Sequence, residues 1–379
     1  MKMSKKIISA LLSAAMVATL LVGCGQAAAP AAPAADAAPA AEAKTEEAAP
    51  AADAAPAAEA AAPADASGKT YAFVPKSAGN PFNEREAQGF EEACKAAGAT
   101  AIVSYPESAT ADAQITVLQS LISQGVDSIC VAANDENALQ AALEEAKAAG
   151  IQVCSVDSSV NPASRAVHVN QAGVAEIGQC LLDAVYDLTG GEGQWAIVSA
   201  TSQATNQNAW IDAMKAIAAA DAKYGKLELV EVAYGDDEPQ KSTDVTQALL
   251  TNYPDLKVIC APTTVGIAAA AKVLQDQKSA VKLTGLGLPS EMAEYIGDDD
   301  AHSCPYMFLW NPIDLGKLGA LTSMALVAGD TTGAEGETFT AGDMGEYTII
   351  KAGDGGTEII LGQPFKFEPS NIEEWKTVY

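Results

Sequence analysis

The fold is decided by Tyr71–Phe82, YAFVPKSAGNPF. The apolar run Tyr71–Val74 stops at Pro75. A lysine, a small-residue turn and an Asn-Pro-Phe tip follow, and Asn83–Ala97 then mixes polar and apolar residues at helical spacing. This order reads as a buried strand, a loop and a helix start. In open α/β sheets, loops at the carboxyl ends of parallel strands hold ligands. The loop offers a charge (Lys76), an amide (Asn80) and a flat apolar face (Phe82). That set suits a ligand with polar edges and C–H faces, such as a sugar; the same residues also read as a turn with a core phenylalanine.

Downstream, strand and helix alternate. Apolar strands are expected at Ala101–Val103, Ser128–Ala133 and Ile151–Val156, the last ending in Asp157. Between them, Thr110–Gln124 and Asn137–Ala149 have helical spacing, and Gly98, Gly125 and Gly150 sit where a left-handed residue ends a helix. The alternation repeats through strands Gln194–Ala200, Leu227–Ala233 and Val258–Ala261 and helices 207–220, 243–251 and 265–275, with further strands at Leu283–Leu288 and Met307–Trp310. Continuous apolar strands alternating with helices predict parallel sheets covered on both faces. Two such wraps predict an α/β protein of two Rossmann-like lobes. Near the end, Tyr347–Lys351 and Glu358–Lys366 flank Asp354-Gly355-Gly356, a hairpin signal.

The opening residues have another purpose. Lys2, Lys5 and Lys6 precede the apolar stretch Ile7–Val22, and Leu21-Val22-Gly23 leads directly to Cys24. This describes a secretory signal over residues 1–23, and Leu-Val-Gly-Cys resembles a bacterial lipobox, which implies a lipidated Cys24 anchored at the outer face of the cell membrane. Residues 24–68 are nearly all Ala, Pro, Asp and Glu, with AAPAADAAPAAEA occurring at 31–43 and again at 48–60. Prolines interrupt any helix and no large apolar residue is present to build a core, so a disordered tether is expected.

The formal charge of −27 argues against a nucleic-acid partner. Two histidines lie far apart and no CxxC pair occurs, so neither a metal nor a cofactor is expected. Beyond Cys24 six cysteines remain, mostly inside apolar strands and helices, and are expected as buried free thiols; Cys130 and Cys154, on consecutive strands, are the pair to check.

Several segments together carry a family resemblance: VPKSAGNPF (74–82), VCSVDSSVNPASR (153–165), SATSQATNQNAW (199–210), CAPTTVGIAAAAKVLQD (260–276), TGLGLPSEM (284–292) and CPYMFLWNPIDLG (304–316). They resemble rhamnose-binding proteins of bacterial ABC transporters, of the type I periplasmic-binding fold, and are similar to autoinducer-2-binding proteins. The resemblance spans Lys69–Tyr379. It implies two lobes joined by three crossovers, near Asn170, Trp310–Pro312 and Met344–Tyr347. The N-terminal lobe would take 69–170 and 312–344, the C-terminal lobe 171–311 and 345–379. It further implies a monomeric carrier that hands a sugar, with L-rhamnose foremost, to ABC permease subunits.

The expected ligand-binding set follows from strand ends and from that resemblance. Asn80 and Phe82 match the Asn-Pro-Phe of ribose-type binders, but Asn83 stands where those carry a second aromatic. Lys76 matches a lysine of the autoinducer-2 binders. Asp157 ends its strand, where a carboxylate accepts from two vicinal hydroxyls, or caps the next segment. Asn206 and Gln207 offer amides that both donate and accept. Thr263 and Thr264 either touch ligand or cap the helix beginning at Val265. Trp310 stacks from the hinge or fills the interlobe core. Leu288, where ribose-type binders carry an aspartate, would meet a deoxy sugar's methyl group. Other readings within the fold are autoinducer-2 or another small polyol. An exported carbohydrate-active enzyme would need paired carboxylates, which no motif supplies; Asp236-Asp237-Glu238 reads as a solvated loop, and Gly285–Ser290 lacks the third glycine of a dinucleotide fingerprint. A sugar-responsive repressor would need a DNA-binding segment before Lys69, where the tether lies.

Overall fold

Strand β1 (Thr70–Val74) sends Tyr71 and Phe73 to one face of a sheet and Ala72 and Val74 to the other, and all four are buried. This is why the run is continuously apolar: a parallel strand covered on both faces has no wet side. The computed structural model describes residues 66–379; the signal segment, the lipobox with Cys24 and the Ala/Pro-rich stretch to residue 65 lie outside the described residues.

After β1 come α1 (Pro81–Ala96), β2 (Thr100–Val103), α2 (Ala111–Gln124), β3 (Ser128–Val131), α3 (Gln140–Ala148), β4 (Gln152–Val156) and β5 (His168–Asn170). The second wrap is α4 (Val174–Thr189), β6 (Gly193–Ser199), α5 (Thr205–Ala220), β7 (Leu227–Tyr234), α6 (Pro239–Asn252), β8 (Leu256–Ala261), α7 (Thr264–Asp276), β9 (Lys282–Gly285), the short α8 (Pro289–Met292) and β10 (Met307–Leu309). The chain then returns through α9 (Pro312–Ala328), β11 (Thr338–Thr340), β12 (Glu346–Thr348), β13 (Ile350–Lys351) and β14 (Thr357–Ile360), and ends with β15 (Phe365–Phe367) and α10 (Ile372–Trp375).

The first sheet has the order β13-β14-β5-β4-β3-β1-β2, parallel except for the antiparallel pair β13–β14. The second has the order β7-β6-β8-β9, all parallel. Tyr71, Phe73, Cys130, Cys154 and Val156 join α1 and α9 in one core, while Ala72, Val74, Ile129 and Val131 join Leu118 and Leu121 of α2, Leu139 just before α3 and Leu143 of α3 in another. Gly98, Gly125 and Gly150 have positive φ, as helix-ending glycines should.

Helices α1 and α9 touch backbone to backbone. A Cβ on Gly89 would stand 1.8 Å from the Ile313 carbonyl oxygen, and one on Gly316 would stand 1.8 Å from that of Glu86. Each glycine thus seats the other helix's main chain, and the crossing fixes the loop that precedes α1.

Two boundaries differ from the sequence reading. The hairpin β13–β14 was expected in the C-terminal lobe, within 345–379. It belongs to the first sheet instead: Ile359 pairs with Val169, and the NH groups of Leu361 and Gly362 donate to the carbonyls of Asn170 and Gln171. The chain crosses to the second lobe only after Leu361, where β15 pairs antiparallel with β10. The expected crossover at Met344–Tyr347 is occupied by the small hairpin β11–β12. Helices α4 and α9, which the strand-by-strand reading passed over, cover the second and first sheets respectively. All six cysteines from Cys94 onward are free; Cys130 and Cys154 lie opposite one another in register without a disulfide, and the Cys154 thiol is 3.2 Å from the Ser323 hydroxyl on α9.

Candidate functional site

The carboxyl ends of both sheets face one cleft. From the first lobe come Lys76, Asn80, Phe82 and Asn83 after β1, and Asp157 after β4; from the second come Gln207 and Trp210 on α5, Asp237 after β7, Pro262, Thr263 and Thr264 after β8, Leu286 after β9 and Leu309 on β10, with Trp310 at the crossover. The lobes stand close together here, and the side chains converge on one small space between them.

The loop after β1 is held by local chemistry. Asn80 caps α1, its Oδ1 accepting from the Phe82 NH at 3.0 Å, and Pro81 takes the first helical position. Only the Nδ2 of Asn80 remains to donate into the cleft. Asn83 turns back and donates to the Ser77 carbonyl at 3.0 Å, bracing the loop. The Lys76 carbonyl accepts from Asn134 Nδ2 at 2.8 Å, so the lysine backbone is tied to the loop after β3.

Lys76 reaches across the cleft. Its Nζ is 2.8 Å from Asn206 Oδ1, 3.4 Å from Gln207 Oε1 and 3.6 Å from Asp157 Oδ2, while Asn206 Nδ2 donates to Asp157 Oδ1 at 3.0 Å. All four side chains are buried. Asp157 has φ 55, a left-handed conformation costly for a residue with a Cβ and typical of ligand-holding turns. Burial raises its pKa; Lys76 and Asn206 pull it back, and the charge of Asp237 pushes it up again.

The apolar part of the lining is aromatic. Trp310 meets the edge of Phe82 at 6.3 Å between centroids and that of Trp210 at 5.7 Å, joining a first-lobe ring to a second-lobe ring at the hinge. Its indole Nε1 is buried with no partner among the described residues.

Most of the expected residues converge here, in different roles. Lys76, Asn80, Phe82, Asp157, Gln207, Thr263, Thr264 and Trp310 line the cleft. Asn206 lies behind the lining, joining Lys76 and Asp157. Thr263 stands at the cap position of α7 but makes no capping bond; its hydroxyl donates to Asp237. Leu288 is not part of the lining: it precedes α8 and its side chain lies in the hydrophobic core. Leu286 takes the place expected of it, because the chain leaves β9 through Gly285 and bridges Leu286 to Phe308. Trp210, Asp237, Leu286 and Leu309 were missed. Asp237, read as part of a solvated loop, is instead drawn in by a turn in which both Asp236 and Asp237 have positive φ, 55 and 54. Among the described residues no group of three or more His, Cys, Asp or Glu is placed to hold a metal ion.

Comparison with known proteins agrees with this geometry. Residues 71–331 match the sequence profile of the periplasmic binding protein domain. An ABC transporter solute-binding protein from Clostridium phytofermentans, solved with bound L-rhamnose, is 59% identical; the match covers 82% of this chain and 99% of that one with a TM-score of 0.81. A sugar ABC transporter protein from Actinomyces odontolyticus is 37% identical over 83% of this chain and 99% of its own, TM-score 0.66. LsrB from Clostridium saccharobutylicum, in complex with AI-2, shares the fold at 22% identity, covering 81% and 99%, TM-score 0.74.

Proposed function

The chain belongs to the periplasmic binding proteins that serve ABC transporters as sugar-binding components, and from that premise we propose that its ligand is L-rhamnose, delivered to an importer by closure of the cleft. The observation that carries the reading is the composition of the lining: a lysine, a carboxylate and an amide on the first lobe, the Gln207 amide, Asp237 and two threonines on the second, and three aromatic rings between the lobes. Carboxylate and amides match the dual donor–acceptor character of hydroxyls. The rings and Leu286 and Leu309 match C–H faces and a methyl group. The L-rhamnose bound by the 59%-identical relative supports the same choice. The cleft needs no reacting group; contact with ligand from both sides favours the closed arrangement and so shifts a hinge equilibrium.

The N-terminal region fits this role. A lipidated Cys24 and an Ala/Pro-rich tether would hold the lobes outside the cell membrane within reach of the permease. Loss of the protein from membranes on Cys24→Ser is the expected result; retention would overturn the anchor.

Calorimetric titration of the purified protein with L-rhamnose, D-ribose, D-arabinose and AI-2 tests the ligand. L-rhamnose is expected to bind most tightly. Binding of AI-2 or a pentose with no response to L-rhamnose would overturn the assignment.

A further inference from the structure

Asp237 belongs to no motif, and nothing in the reading above gives it a task. The loop that carries it follows β7, is tied down by Gly235 and Asp236 donating their NH groups to the carbonyls of Ser199 and Ala200 at the end of β6, and turns through two left-handed residues. Non-glycine residues adopt that conformation rarely, and where they do the surrounding structure over-determines it. The turn brings the carboxylate over the end of β6 to Thr263, which follows β8; the Thr263 hydroxyl donates to Asp237 Oδ1. Asp237 is one of the residues that line the cleft.

Among the lining residues, Asp237 is the one charged side chain contributed by the second lobe; the first contributes Lys76 and Asp157. Lys76 is 3.6 Å from Asp157 and bonded to two amides, so its charge is already shared. The two carboxylates stand on opposite walls and repel one another. An ionised carboxylate only accepts hydrogen bonds. A ligand between the two therefore has to offer donors on two edges.

We propose that Asp237 is a specificity-determining residue, which accepts a hydroxyl of the bound sugar on the edge opposite the one held by Asp157. The proposal deepens the monosaccharide reading and rests on it. Its consequence is that the cleft selects a neutral ring with free hydroxyls on both edges, and that bringing the lobes together without such donors sets carboxylate against carboxylate. A capping or loop-bracing role for Asp237 would give no preference for any one hydroxyl.

The test is a cycle of calorimetric titrations on the purified protein, pairing Asp237→Asn and Asp157→Asn with L-rhamnose and its 2-, 3- and 4-deoxy forms, with melting temperatures checking that each variant folds. Asp237→Asn is expected to weaken L-rhamnose by about ten- to a hundredfold, the worth of a hydrogen bond to a charged group. Removing one particular hydroxyl should then cost the variant little further, and Asp157→Asn should couple to a different hydroxyl. Affinity within twofold of the parent, or a loss that couples to no hydroxyl, overturns the proposal. Thr263→Val keeps the carboxylate and removes its partner; it should show the same hydroxyl coupling, weakened, and unchanged coupling alongside unchanged affinity in Asp237→Asn would overturn it again. If the parent ignores L-rhamnose but binds another neutral monosaccharide, the ligand assignment fails and the cycle on that sugar's deoxy forms decides Asp237 by the same criteria. A parent that binds no neutral monosaccharide overturns both.

Discussion

The ammonium of Lys76, on the first lobe, donates to Asn206 of the second over 2.8 Å. The two lobes are thus joined directly, by a lysine that lines the cleft and an amide behind the lining, and Asp157 and Gln207 lie in the same cluster. Lys76→Met keeps the aliphatic stem and removes the charge. Two carboxylates then face the cleft with no cation, which favours protonation of one of them, and the ligand's hydroxyl oxygens lose a donor. Affinity for L-rhamnose is expected to drop roughly ten- to a hundredfold, read by calorimetry.

Leu286, rather than Leu288, meets the ligand space. If the methyl group of a 6-deoxy sugar points there, the protein should prefer L-rhamnose over L-mannose, which carries a hydroxyl at the same carbon. Leu286→Asn is expected to narrow that preference by roughly tenfold, the usual worth of one apolar group in a fitted pocket. Leu288→Asn should instead lower the melting temperature, since that side chain is a core element. Competition binding with both sugars and a melting curve separate the two.

Gly89 and Gly316 each accept the other helix's backbone, with a hypothetical Cβ 1.8 Å from a carbonyl oxygen. Main chain cannot rotate away as a side-chain tip can. Gly89→Ala or Gly316→Ala is therefore expected to push α1 from α9 and cost at least about 3 kcal/mol, the upper range for overpacking. Urea unfolding measures it. Because α1 begins at the ligand loop, the surviving folded fraction should also bind more weakly.

Glu86 sits on α1 with no exposed surface, and both carboxyl oxygens lack a partner among the described residues. Burial, and after it the charge of Asp157, holds its pKa well above the ordinary carboxylate range, with Lys76 opposing. The folded chain therefore keeps a proton that the unfolded chain releases above pH ~4.3. Stability falls as pH rises from there toward the folded-state pKa, and the penalty is complete above it. Glu86→Gln cannot ionise, so its stability relative to the parent should improve from pH 5 to pH 8. Urea unfolding at both values checks this; a constant difference would show that the carboxyl does not titrate differently in the two states.

What the sequence reveals is uneven, for physical reasons. Four strands of the first sheet are legible because each is a largely apolar run ending near a turn residue, from Tyr71–Val74 to Ile151–Val156; β5, His-Val-Asn, is too short and polar to stand out. The strand-end polar residues are legible as a consequence: once two parallel sheets are assigned, Lys76 and Asp157 must share the rim of the first and Gln207 must lie at the rim of the second. Helix α9 is harder to see. It is buried nearly all round, so it shows no amphipathic stripe, although Asn311-Pro312 is a fair start signal. In the tail, Glu358–Lys366 looks like one strand but forms parts of two, β14 and β15, in different lobes. Pro364 lies within it and separates β14 from β15; a proline inside a strand run marks a break. Asp237 was hidden by its neighbours. Three consecutive acids look like a solvated loop, and only the left-handed turn at Asp236–Asp237, which no local pattern announces, swings one of them inward.

The contact of Phe82, Trp310 and Trp210 links first lobe, crossover and second lobe through ring edges. Any rotation about the crossover must change those ring separations and the polarity around two of the chain's four tryptophans. The remaining two, Trp195 in β6 and Trp375 in α10, are not part of that contact. The protein accordingly carries an optical gauge of its own hinge: ultraviolet emission from its native indoles should follow the cleft as it fills, with no dye and no engineered probe.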